Sequence, residues 1–142
     1  MGCAFCSTGR MGFKRNLTPG EIASQVLMAS QDLEERGLDS TRLTNVVLMG
    51  MGEPLLNWDA VKKALGMMTD SLGLGLSRRR VTLSTVGVKG RLQEFGQSRL
   101  GMLAVSLHAP DQELRRRLMP GAAAWDIKDL VKALEKYPLA PR

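Results

Sequence analysis

Apolar and polar positions change period several times along the chain, and each change marks an element. From Thr18 the pattern is helical. Thr18 is suited to cap, Pro19 to the first helical position, and Glu21 lies three residues past the cap, the spacing of a capping box. Ile22, Val26, Ala29 and Leu33 then recur on one face, and Gly37 supplies the stop. Over Leu43–Met49 the helical period disappears, and LTNVVLM reads as a short strand buried on both faces. A helix over Trp58–Leu72 follows, then a strand over Arg80–Thr85 and a less regular helical stretch over Val88–Gln97. A strand over Leu100–Leu107 and helices over Asp111–Leu118 and Asp126–Lys136 complete the pattern.

Strands alternating with amphipathic helices across short loops are the mark of βαβ units, whose strands lie parallel. The fold class expected is therefore α/β, with about three parallel strands and flanking helices. Barrel and doubly wound sheets both satisfy the pattern. In either, ligands bind where the loops leave the carboxyl ends of the strands.

The residues hardest to explain as packing fall at those ends. Gly50-Met51-Gly52-Glu53-Pro54 follows the first strand, Ser84 and Thr85 end the second, and Ser106-Leu107-His108 ends the third. A loop with Cys3 and Cys6 precedes the first helix, so the alternation places it after a further strand that this sequence does not contain. Two glycines beside Glu53 permit close backbone approach to a ligand. His108, the only histidine, reads by itself as a satisfied strand-end residue, as a lone histidine more often is, and the nine methionines as core filler.

Composition narrows the setting. At 142 residues and 44% apolar the chain suffices for one domain or part of one, and no apolar run reaches the length of a membrane span. With no secretion-signal pattern and too few cysteines for a disulfide framework, a cytoplasmic location without membrane attachment is expected. The net charge of +6 favours a polyanionic partner. Arg10, Lys14 and Arg15 in the cysteine loop and Arg115-Arg116-Arg117 after His108 are candidates for phosphate contact, whereas Arg78-Arg79-Arg80 precedes a strand and belongs at the opposite end of the sheet. The Cys3–Cys6 pair, by spacing alone, is open to dithiol redox chemistry, zinc, or an iron–sulfur cluster.

Four ordered blocks, GCAFCSTGRMGFKRNL, VVLMGMGEPLLN, RRVTLSTVGV and LAVSLHAPDQELRRRLMP, are together more specific. They resemble the radical S-adenosylmethionine RNA methyltransferases that modify C2 of adenine. The resemblance implies a partial (βα) barrel of the radical SAM type, with residues 1–142 as the central part of its core domain and the first and last strands missing. It also implies a [4Fe–4S] cluster held by CxxxCxxC, in which Cys3 and Cys6 match the second and third cysteines, the first falling four positions before Cys3. By the same resemblance Gly52 and Glu53 contact the amino group of S-adenosylmethionine, Ser84 its polar tail or ribose, and Ser106, Leu107 and His108 its adenosine part. The implied reaction passes through a methylated cysteine downstream in the sequence and a 5′-deoxyadenosyl radical. Its implied partners are ribosomal RNA, transfer RNA as a second substrate, and an electron donor such as a flavodoxin-type reductase. That downstream cysteine is not among these residues, so on this reading the residues here are not catalytic alone. A relative that methylates C8, or one that binds RNA without a cluster, shares the same blocks.

Overall fold

The computed structural model describes residues 1–39, 43–122 and 125–139. Its elements, in chain order, are α1 (Ser7–Arg10), α2 (Pro19–Glu35), β1 (Val46–Leu48), α3 (Trp58–Thr69), β2 (Val81–Thr85), α4 (Arg91–Ser98), β3 (Met102–Val105), α5 (Gln112–Leu118) and α6 (Ile127–Glu135). The three strands form one parallel sheet in the order β1-β2-β3. The alternation expected from the sequence is therefore what forms, with most elements starting or ending one to three residues inside the expected bounds. The short α1 within the cysteine loop has no periodic signal in the sequence.

Helix starts follow local chemistry. At α2 the Thr18 side chain accepts from the Glu21 amide while the Glu21 carboxylate accepts from the Thr18 amide, the reciprocal pair anticipated from the sequence. Arg15 closes on the same carboxylate through two nitrogens, at 2.7 and 2.9 Å. Asp111 and Asp126 cap α5 and α6 through the amides of Leu114 and Lys128. Trp58–Leu72 stops early because Asp70 turns to extended backbone at ψ 138°, and Pro54–Asn57 forms a 3₁₀ turn leading into α3.

Register explains the layers. Leu48, Leu83 and Leu103 stand side by side, and with Val46, Val81 and Val105 they make one face of the sheet. Against Val81 and Leu83 on that face pack Ala23 and Val26 of α2, Trp58, Val61 and Leu65 of α3, Leu92 and Phe95 of α4, and Leu130 of α6. Trp58 and Phe95 meet edge to face at 5.8 Å. The other face carries Val47, Thr82 and Met102 in one row and Ser84 beside Ala104 in the next. Val47 is 57% and Met102 53% exposed, so the first strand is not buried on both faces as its apolar run suggested. The helices among the described residues cover one side only. Along α2, Ala29 is exposed and Ala23 takes its expected place in the core.

Two outcomes test this account. The Arg15 guanidinium, then the Thr18 amide and hydroxyl, hold the Glu21 carboxyl down at about 2 from its ordinary 4.5. A depressed carboxylate contributes stability above its unfolded pKa and loses it as pH falls through the folded one. Urea midpoints of the wild type should therefore decline between pH 4.5 and about 2 by more than those of Glu21→Gln. Parallel curves would remove Arg15 and the cap from the account. Separately, Gly87 has φ +91°, and a Cβ there would stand 2.8 Å from Leu130 Cδ1 and 3.4 Å from Trp125. Gly87→Ala should cost about 1–3 kcal/mol in urea unfolding, from strain and overpacking together.

Candidate functional site

The cysteine loop is built around one close approach. The Cys6 amide donates to the Cys3 carbonyl at 3.1 Å, and α1 then folds back over Cys3. A Cβ on Gly9 would lie 3.1 Å from the Cys3 carbonyl oxygen, so a glycine at this position in CSTG keeps the turn free of crowding. Cys6 stands at the N-cap of α1. Amides of Gly9, then Thr8, point at its thiol and lower its pKa below the usual thiol value, although partial burial opposes them. Cys3 and Cys6 are both half-buried and unbridged. Thiolates on one tight turn suit a thiolate-ligated metal or cluster, and among the described residues no group of three or more Cys, His, Asp or Glu is placed to hold a metal ion.

That loop is fastened to the strand ends. The Ala4 amide donates to the Leu118 carbonyl at 2.9 Å and the Gly121 amide to the Met1 carbonyl at 3.1 Å. Cys3 packs beside Val86, Leu118 and Met119. Phe5 meets the His108 ring at 4.7 Å between centroids, tilted by 48°. His108 is exposed and has φ +59°, a left-handed conformation rare outside glycine and held here by its surroundings.

Glu53 lies at the centre of the strand ends. Gly52, at φ +92°, turns the chain so that the next side chain enters the structure, and Glu53 is 9% exposed. Its Oε1 accepts from Thr85 Oγ1 at 2.7 Å and from the Leu55 amide at 3.0 Å, and its Oε2 accepts from the Val86 amide at 2.9 Å. A carboxylate offers about four lone-pair positions, so this one keeps an acceptor site for a further donor. On the open face of the sheet Ser84 Oγ and Ser106 Oγ lie 3.3 Å apart, and the Ser106 amide donates to the Thr85 carbonyl at 2.8 Å. Leu107 and His108 are exposed just beyond.

The structure thus joins Glu53 to the end of β2, Cys3 to the loop after β2, Ser84 to Ser106, and His108 to the cysteine loop. The sequence pattern marks Thr85 only as a strand-end residue and gives no role to Phe5, and it groups Arg115 with Arg116 and Arg117 as candidates for phosphate contact. Arg116 and Arg117 are exposed, but Arg115 has no exposure at all. It donates from Nη2 to the Val86 carbonyl at 2.7 Å and from Nη1 to the Trp125 carbonyl at 3.1 Å. Burial pulls its pKa below the ordinary arginine value, with Asp126 opposing. The signal that identifies it is helical phase: Arg115 shares a face with Met119, four residues on and fully buried.

Comparison with known proteins places this geometry. Residues 1–140 match the model of the radical SAM superfamily. The whole chain is 55% identical over 142 residues to the dual-specificity RNA methyltransferase RlmN of Nitratidesulfovibrio vulgaris, covering 39% of that protein, and 50% identical to the protein of the same name from Lawsonia intracellularis, covering 40%. A crystal structure of a radical SAM methyltransferase from Sphaerobacter thermophilus superposes with a TM-score of 0.87 at 39% identity, over 96% of this chain and 39% of that one. The chain therefore spans about two fifths of the length of the curated relatives it matches. With a family model matched along nearly all its length and a solved relative of the same fold, the chain belongs to the radical SAM superfamily.

Proposed function

We propose that this chain forms the cofactor-binding part of a cytoplasmic RNA methyltransferase that acts on C2 of adenine in ribosomal and transfer RNA. The observation that carries the reading is the junction at the end of β2: Val86 gives its amide to Glu53 and its side chain to Cys3, so the thiol loop and the buried carboxylate share one residue. Membership of the superfamily brings S-adenosylmethionine and a [4Fe–4S] cluster as cofactors. Cys3 and Cys6 would hold the cluster, and the lowered pKa of Cys6 fits a thiolate ligand. When bound, the cluster supplies the electron for reductive cleavage of S-adenosylmethionine.

The chain's own residues bind and orient. The remaining acceptor position of Glu53 suits an ammonium group, and a low-exposure carboxylate favours a cation over a neutral amine. Ser84 and Ser106 present hydroxyls toward a ribose or polar tail, and Leu107 with His108 offers a surface for an adenosine. Arg10, which reaches the Ala4 carbonyl at 3.5 Å, and the exposed Arg116 and Arg117 of α5 would offer cations to an RNA backbone. An electron donor of flavodoxin type completes the set of partners. No helix among the described residues is long and apolar enough to cross a membrane.

Two experiments test the reading. In the chain loaded anaerobically with iron and sulfide, with a small thiol at low concentration standing in for the one remaining cysteine ligand, Cys3→Ser and Cys6→Ser should each lose bound iron. Glu53→Gln should keep its iron but bind S-adenosylmethionine about tenfold or more weakly, the loss expected for one hydrogen bond between charged groups. Iron content and affinity that ignore these changes would leave Glu53 as a structural staple and refute the reading. In the second, binding to a short RNA hairpin is measured against salt. Arg116→Ala with Arg117→Ala should lower the salt slope by about 1–2, while Arg78→Ala with Arg79→Ala, at the far end of the sheet, should leave it unchanged.

A further inference from the structure

Arg115 is fully buried, and a buried guanidinium is costly unless its donors are satisfied in one fixed geometry. Its two terminal nitrogens reach carbonyls on separate segments, Val86 after β2 and Trp125 before α6. Val86 is held from both sides, since its carbonyl accepts from Arg115 while its amide donates to Glu53 Oε2. At the other end of α5, the Met119 amide donates to the Arg115 carbonyl and the Leu118 carbonyl accepts from Ala4, between the two cysteines. Met119, fully buried, packs with Val86 and Cys3. A continuous path of hydrogen bonds and contacts therefore runs from the thiol loop through α5 and Arg115 to the Glu53 carboxylate.

We propose that Arg115 is a positioning residue that fixes the cysteine loop relative to Glu53, through the Val86 carbonyl on one side and α5 on the other. The proposal deepens the reading of Glu53 as the contact for the amino group of S-adenosylmethionine, and rests on it for its effect on ligand. A planar fork is needed because the two carbonyls lie on different segments and must be met at once. Lysine, a compact charge without that fork, holds the two carbonyls less rigidly. A residue that merely filled the core would be replaceable at equal stability with no effect on either the loop or the carboxylate.

The test uses the full chain with Arg115→Gln, Arg115→Lys and a control, Met68→Ala, whose buried side chain lies in α3. Hydrogen exchange at the Val86 and Ala4 amides and the dissociation constant for S-adenosylmethionine are read together with melting temperature. Arg115→Gln should speed exchange at both amides by about tenfold and weaken S-adenosylmethionine by about tenfold, the ratio set by one hydrogen bond to a charged group. Arg115→Lys should fall between it and the wild type, and it decides the matter alone if Arg115→Gln does not fold. Met68→Ala should lower the melting temperature and leave the two amides and the ligand affinity as they are. Unchanged exchange at Val86 and Ala4, or changes equal to those in Met68→Ala, would overturn the proposal. If Glu53→Gln does not alter S-adenosylmethionine binding, the ligand reading of Glu53 fails separately, and the two amide rates still judge the positioning role.

Discussion

A carboxylate removed from water must find donors, and Glu53 finds them on both sides of the β1-β2 pairing, at the strand ends. The turn after its own strand supplies the Leu55 amide, the end of β2 supplies the Thr85 hydroxyl, and the loop beyond supplies the Val86 amide. Thr85 in turn accepts from the Gly87 amide at 3.0 Å, which carries the constraint toward Leu130 and the core. Losing one partner of such a buried group costs about 1–3 kcal/mol or more. The ends of β1 and β2 are thus locked together chemically where their loops leave the sheet.

The cysteine loop depends on that lock. Its backbone is fastened to Leu118 at the end of α5 and to Gly121 just beyond, and α5 is fastened to Val86 through Arg115. Each thiol has a distinct setting: Cys3 lies against Val86 and Met119, while Cys6 stands at the N-cap position of a single helical turn whose amides favour its anionic form. On the open face, the hydroxyls of Ser84 and Ser106 extend the same surface toward the exposed Leu107 and His108. Helices cover the opposite side of the sheet, so the uncovered face, with Val47 and Met102, continues from the strand ends, as the concave face of a partial barrel does.

Much of this was legible in the sequence because it is written in short-range chemistry. Thr18, Pro19 and Glu21 announce a helix start, and alternation of strand and helix announces a parallel sheet. The position of Gly52-Glu53, Ser84 and Ser106-Leu107-His108 after strands announces a shared face. What stayed hidden depends on contacts distant in sequence. Within the run of three arginines only helical phase with Met119 sets Arg115 apart, and its partners at Val86 and Trp125 are not visible from the run itself. The outer position of β1 was equally hidden, since an apolar run reads the same whether one or both of its faces are covered. The turn of Ser7–Arg10 is too short to carry a period, and only the close approach of Gly9 to Cys3 accounts for it.

Whether the thiol loop and the Glu53 carboxylate form one site is tested most directly by a crystal structure of the chain, loaded with iron and sulfide and soaked with S-adenosylmethionine. Anomalous density for iron is expected at Cys3 and Cys6, with the ligand's amino group within about 3 Å of a Glu53 carboxylate oxygen. Iron at the cysteines with S-adenosylmethionine bound away from Glu53, or S-adenosylmethionine at Glu53 with the iron elsewhere, would contradict a single site.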